Sequence, residues 1–347
     1  MATALETLAQ HVAHSAEFAP RRFFSNGHLQ TILGNFLRRM HSLPPAETIL
    51  VEVAPAVGSE ISSRIRCDCH WQPTEVRAQR PTAIIVHGLE GSSHSQYVVG
   101  NADKLWQAGA NIIRMNMRNC GGTEALSSTL YHSGLSGDVG AVMRHFTDLH
   151  GLTSISLIGY SMGGNLVLKL AGDLGPSAPR SLRSVIGVSP AIDLGPSADS
   201  LHEPQNRLYE IKFLYALLAR YRRKATLFPR AYDPRRADAI RSIRAFDERV
   251  TAFYSGFTGA DDYYYRAASA RVLDRIAVPT LILNSTDDPF IRLLPDSREK
   301  IAANPNITFL ESTRGGHCAF LAAPDPSTSY DGYWAEHTLM GFLLEHA

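Results

Sequence analysis

The stretch Ile155-Ser156-Leu157-Ile158-Gly159-Tyr160-Ser161-Met162-Gly163-Gly164-Asn165-Leu166-Val167-Leu168-Lys169-Leu170 carries the most structural information in the chain. An apolar run of strand length gives way at once to a helix-forming run, with one serine at the bend. A bend that abrupt is a nucleophile elbow. It strains the backbone of Ser161, so the residues two before and two after it must lack a colliding Cβ. Gly159 and Gly163 meet that need. In a chain with 26 glycines the five-residue pattern alone is weak, so its surroundings must carry the inference.

Those surroundings repeat one grammar from Pro81 onward: apolar strand, loop, helix. Ala83–Val86, Ile112–Met115, the elbow strand, Ser184–Ser189, Pro279–Asn284 and Ile307–Leu310 are strands, with helices expected from Asn101 to Gln107, from Gly137 to Leu149 and from about Tyr333 to His346. Strands that are apolar on both faces and separated by helices indicate a mostly parallel sheet covered on both sides. Upstream, Thr48–Val53 and Ser62–Trp71 alternate in character and are joined through Gly58-Ser59, which predicts an antiparallel hairpin at a sheet edge. Eight strands with an antiparallel start form the α/β-hydrolase layout. Before them, Asn26-Gly27 predicts a turn leading into a short helix that ends near Arg38-Arg39. Residues 1 to about 20 carry only a weak amphipathic tendency.

Between Ile192 and about Val272 the alternation stops. This segment is helical, aromatic and basic, with 12 Lys or Arg against 5 Asp or Glu from Arg207 to Arg249. The expected organisation is therefore an N-terminal segment, 1–45, packed on the body; an α/β core of 46–191 and 273–347; and a helical lid of 192–272 inserted after the sixth strand.

Composition narrows the class. At 44% hydrophobic and 19% charged residues the chain is an ordinary globular protein. A formal charge of +1 gives no bulk drive toward nucleic acid. Cys67, Cys69, Cys120 and Cys318 are too few and too scattered for a disulfide framework, and no signal peptide is recognised, so a cytoplasmic protein is expected. No apolar run approaches the roughly 18 residues of a membrane span. Oligomeric state is not encoded in any feature of the sequence.

A serine hydroxyl needs a histidine base, itself oriented by a carboxylate. In this architecture the acid follows the seventh strand and the histidine the eighth. Asp287-Asp288-Pro289 lies just past Leu281-Ile282-Leu283-Asn284, and Gly315-Gly316-His317 lies past Ile307–Leu310. Matching the loop to a Gly-x-x-Asp-Pro pattern puts Ser285 at the glycine position and Asp288 at the acid, with Asp287 as the alternative. The expected oxyanion donors are the amide of Met162, after the nucleophile, and that of Leu89 in His87-Gly88-Leu89-Glu90-Gly91. His87 is expected to brace that loop rather than act as base. A surface-loop histidine and an Asp-Pro turn are the ordinary alternatives; the chain order of serine, acid and base favours the catalytic set.

Weaker features have blander explanations. Cys67-x-Cys69-His70 lacks a second ligand pair and suits half-buried strand cysteines better than zinc. Asn119-Cys120-Gly121-Gly122-Thr123 lacks the ending of a phosphate loop. Tyr263-Tyr264-Tyr265 and the basic residues of the insertion suit lid packing, with contact to an anionic or aromatic ligand as the alternative.

Taken together, Asn26-Gly27-His28-Leu29-Gln30-Thr31-Ile32, His87–Gly91, Arg118-Asn119-Cys120-Gly121-Gly122, Gly159–Asn165, Phe246-Asp247-Glu248 and Gly315-Gly316-His317 resemble the AB hydrolase 4 family of serine hydrolases, from Phe23 to the C-terminus. The resemblance implies a lid between strands six and seven, a Ser161-Asp288-His317 triad and esterase or lipase activity on acyl esters, with a small-molecule ester as substrate. It implies no cofactor or metal. Animal members often carry an N-terminal membrane anchor, which is not expected here. Acyl transfer or thioester cleavage by the same triad, and a non-catalytic binding role, are the alternatives. Activity is expected to fall as His317 protonates, below roughly pH 6 to 7.

Overall fold

The computed structural model of the chain describes residues 17–56 and 61–347. Most of the weak helical tendency of residues 1–20, and the Gly58-Ser59 connection, lie outside the described residues. All eight expected strands form: β1 (Glu47–Ala54), β2 (Ser63–His70), β3 (Thr82–Val86), β4 (Asn111–Met115), β5 (Ile155–Tyr160), β6 (Leu182–Val188), β7 (Thr280–Ser285) and β8 (Ile307–Ser312). They make one sheet in the order β1-β2-β4-β3-β5-β6-β7-β8. Only β2 runs antiparallel to its neighbours, pairing Glu47 with Cys69 on one side and Cys67 with Met115 on the other.

Alternate residues of the central strands feed two separate cores, as a sheet covered on both faces requires. Ile84, Val86, Leu157 and Val185 pack under α3 (Ser136–His150) and α4 (Met162–Leu174) through Val142, Phe146 and Leu166. Ile85, Ile158, Ile186 and Leu283 pack under α2 (Gln96–Gln107) and α9 (Trp334–Glu345) through Leu105 and Leu339. Helix α2 begins five residues before its expected start, because Ser95 ends the loop and Gln96-Tyr97-Val98-Val99 turn their apolar side onto the sheet. Helix α1 (Gly27–Phe36) is capped by the Asn26 side chain, which accepts the Leu29 amide at 3.1 Å, and it ends two residues earlier than expected.

Between β6 and β7 lie α5 (Leu194–Leu201), α6 (Arg207–Leu227), a helical run from Ile243 through a π turn at Asp247–Ala252 to Ser255, and α7 (Ala260–Ala267). Helix α6 has 21 residues without Gly or Pro and is rich in Leu, Ala, Arg and Lys, which favours a long helix locally. Helix α8 (Pro295–Ala303) connects β7 to β8. The chain order reverses direction across the sheet between β3 and β5. Crevices at such switch points, outside the C-terminal ends of parallel strands, are where this class of fold binds ligands. The loops after β3 and β5 meet there.

Candidate active site

At the end of β5, Ser161 adopts φ 54° and ψ −116° and starts α4. Its amide donates to Val188 at 2.9 Å, and its carbonyl accepts from Asn165 at 3.1 Å and from Ala191 at 3.2 Å. Those three bonds fix a conformation that a non-glycine residue rarely takes. A Cβ on Gly159 would stand 2.2 Å from the Gly163 carbonyl oxygen, and one on Gly163 would stand 2.4 Å from those of Val86 and His87. Both glycines of the motif are therefore required by contact, as the sequence pattern predicts.

His317 follows β8. Its Nδ1 lies 2.7 Å from Oδ2 of Asp288, while Oδ1 of Asp288 accepts the amides of Phe290 (3.0 Å) and Ile291 (2.9 Å). Asp288 is buried. Asp287 turns elsewhere: its Oδ1 accepts the Gly316 amide at 2.9 Å, which holds the histidine loop without touching the ring. Burial alone lowers the basicity of His317, but the Asp288 carboxylate and Cys318 beside it outweigh burial and raise its pKa above the ordinary imidazole value. Phe290 packs on the ring, with centroids 4.2 Å apart.

Ser161 and His317 line one cleft, together with Leu89. Among the described residues, neither the Leu89 nor the Met162 amide has an acceptor within the protein, and both residues line the space beside Ser161. His87 is fully buried; its Nδ1 lies 2.7 Å from the Gly88 carbonyl and its Nε2 accepts the Met117 amide at 3.1 Å. Burial drops its pKa to about 4, so it is a neutral brace for the β3 loop.

A family model described as alpha/beta hydrolase fold matches residues 81–324. The chain belongs to the α/β-hydrolase fold family. YheT of Escherichia coli (strain K12), an esterase by name, is 31% identical over all of this chain and 98% of its own length. Phospholipase ABHD3 of Bos taurus is 29% identical over 77% of this chain, which spans 65% of that protein's length. Among solved structures, 2,6-dihydroxy-pseudo-oxynicotine hydrolase superimposes with a TM-score of 0.56 at 16% identity, covering 92% of this chain and 71% of that one, a likeness of fold. These relatives are in keeping with the resemblance to the AB hydrolase 4 group.

Within this α/β-hydrolase two further features shape the site, and the first escaped the sequence. The first is the role of α1, which precedes every strand. Thr31, buried, accepts the His317 amide on its Oγ1 at 2.8 Å and donates to the Gly27 carbonyl at 2.7 Å. Gln30, fully buried, accepts the Leu321 amide at 2.7 Å and donates to the Leu321 carbonyl at 3.0 Å. The Asn26–Ile32 motif thus holds the loop that carries His317.

The second is the basic face of α6. Arg220 grips both oxygens of Glu90, at 2.9 and 3.0 Å, and bonds the Asn119 carbonyl. Arg223 pairs with Glu124 at 2.8 Å. Lys224 has no exposed surface and donates to Asn119 Oδ1 at 2.7 Å, to the Glu124 carbonyl at 2.9 Å and to the Ser127 carbonyl. These three cations fasten the insertion to the β3 and β4 loops, which is the packing expected of the basic segment. Tyr263 and Tyr264 are buried, bonded to Ser133 at 2.9 Å and to Asp247 at 2.7 Å; Tyr265 is exposed. Cys67 and Cys69 are buried in β2. Among the described residues no group of three or more His, Cys, Asp or Glu could hold a metal ion, and no helix is long and apolar enough to cross a membrane.

Proposed function

We propose that this chain is a carboxylesterase- or lipase-like serine hydrolase that cleaves acyl esters through an acyl-enzyme on Ser161. The observation that carries the proposal is the shared cleft of a strained elbow serine and a histidine held by a buried carboxylate, with two unengaged amides beside the serine. Ser161 Oγ attacks the ester carbonyl as His317 takes its proton. Asp288 fixes the ring so that Nε2 faces the reaction and favours the imidazolium that forms. The Leu89 and Met162 amides receive the oxyanion. The names of the bacterial and bovine relatives agree with ester cleavage.

In this reading residues 192–272 act as a lid over Ser161, residues 1–45 brace the histidine loop, and 46–191 with 273–347 form the catalytic body. We assign the protein to the cytoplasm, in keeping with four unpaired cysteines. A folded Ser161→Ala protein should lose at least about a thousandfold in ester turnover and should no longer be labelled by a fluorophosphonate. Undiminished turnover by that protein would reject the proposal.

A further inference from the structure

Two spaces of different character meet at Ser161. One is an interior cavity of about 120 Å³ beneath the insertion, walled by buried side chains that include Leu201, Leu217, Ile243 and Phe246. Its polar wall groups are already engaged by the protein: Asp247 by Thr251 and Tyr264, both at 2.7 Å, Arg220 by Glu90, and Ser133 by Tyr263. What the cavity offers a ligand is therefore largely carbon surface. The other space is a cleft of about 620 Å³ open to solvent, between α1 and α6. Its walls include the exposed Phe36, Leu208, Gln205 and Lys212 as well as His28. Leu89, Ser161, Phe213 and Phe290 line both spaces. His317 lines only the cleft, and Met162 only the cavity.

The chemistry of acyl transfer decides which part of an ester belongs in which space. Ser161 Oγ forms a bond to the carbonyl carbon while its proton passes to His317 Nε2. The ester C–O bond then breaks, and the same proton goes to the departing alcohol oxygen. That oxygen must face His317, so the alcohol lies on the cleft side. The carbonyl oxygen turns to the Leu89 and Met162 amides, which leaves the acyl chain directed away from His317 and into the cavity. Water then enters from the cleft, gives its proton to His317 as it adds to the acyl carbon, and the Ser161–acyl bond breaks as His317 returns that proton to Ser161 Oγ, which releases the carboxylic acid and restores both residues.

Resting on the hydrolase reading above, we propose that the interior cavity is the acyl site and the open cleft the alcohol site. The enzyme is then selective for short acyl groups and tolerant of bulky, polar alcohols. An apolar cavity of 150 Å³ holds a benzene ring, so a 120 Å³ space fits an acyl tail of about six carbons or fewer. Longer tails meet the buried side chains of that wall, whereas the alcohol meets a space five times larger whose walls include exposed side chains.

The test uses two ester series on the purified full chain: p-nitrophenyl esters from acetate to laurate, and butyrate esters of alcohols growing from methanol to glycerol and naphthol. In the wild type, kcat/KM should peak at or below hexanoate and fall at least tenfold by laurate, while the alcohol series varies less than tenfold. Ala198→Phe, which fills the cavity from α5, should lower the hexanoate-to-acetate ratio at least tenfold. Leu217→Ala, which enlarges the cavity, should move the optimum to longer chains, an outcome that misfolding cannot imitate. Ala216→Phe, on the cleft side of α6, should change the ratio of bulky to small alcohols and leave the acyl optimum where it is. If the cavity variants alter alcohol preference and the cleft variant alters acyl length, the assignment is overturned. Dependence on Ser161 separates the two levels: a turnover that survives Ser161→Ala rejects the hydrolase reading itself, whereas an inert Ser161→Ala with reversed selectivities rejects only the assignment of the two sites.

Discussion

Thr31→Val removes one hydroxyl from α1, at a position no strand-and-loop scheme of catalysis includes. The two side chains are close in volume, so the buried packing against Gly316 is kept and the change falls on hydrogen bonding. Thr31 Oγ1 is the acceptor for the His317 amide at 2.8 Å; the Gly27 carbonyl that loses the hydroxyl donor keeps its place in the helix ladder. The loss therefore concentrates on one partly buried N–H, and leaving such a donor unpaired costs about 1–3 kcal/mol. If the loop moves to satisfy that amide with water, His317 leaves its attack geometry and the cost appears in the transition state. Converted at about 1.4 kcal/mol per tenfold, kcat should drop between about 5-fold and about 150-fold, with KM changing less than about twofold. Thr31→Ser keeps the acceptor and should retain kcat within about threefold. The assay is steady-state hydrolysis of p-nitrophenyl butyrate across a full substrate range, with thermal melting to establish that each variant is folded. An unchanged kcat in Thr31→Val, or a raised KM with kcat intact, would refute the idea that α1 positions the base.

The remaining predictions concern charge. His317 must be neutral to take a proton, so activity rises with pH through its pKa; because Asp288 holds that pKa above the ordinary value of about 6.5, the acid limb of kcat/KM should lie above the range expected from the sequence alone. Asp288→Asn removes the larger raising partner and leaves burial opposed by Cys318 alone, so the residual activity of that variant should have its acid limb shifted below that of the wild type. A limb that stays in place would show that Asp288 does not set the base. Lys224→Met strands three acceptors inside the protein and should lower unfolding free energy by at least about 3 kcal/mol in urea titrations. Burial brings the Lys224 pKa down to about 7, so the unfolded chain binds that proton more tightly than the folded one between about pH 7 and the ordinary lysine value near 10.4. Wild-type stability should thus rise relative to Lys224→Met across that window; a parallel pair of stability curves would count against it.

The parts of the site that were legible in the sequence are those whose requirement is local. Ser161 announces itself because the elbow demands glycine within two residues on either side, and Asp288 and His317 because each follows its own apolar strand directly. The choice between Asp287 and Asp288 was harder. Both belong to the same loop, and only the direction of the turn sends one carboxylate to the ring and the other to the Gly316 backbone. What the sequence hid depends on partners far along the chain. Thr31 and His317 are 286 positions apart, and a threonine in the middle of a short helix carries no mark of the loop it will meet. The basic run on α6 was visible as charge, but charge does not say whether its partner is a ligand or the protein. Glu90, 130 positions from Arg220, follows directly on Leu89, the expected second oxyanion donor. That adjacency has a mechanistic consequence. The clamp that fastens the insertion also fixes the loop bearing the proposed donor amide, and the Tyr131 hydroxyl holds the same carboxylate. In the proposed mechanism the insertion, acting as a lid, supports through Arg220 the loop that offers the Leu89 amide to the oxyanion.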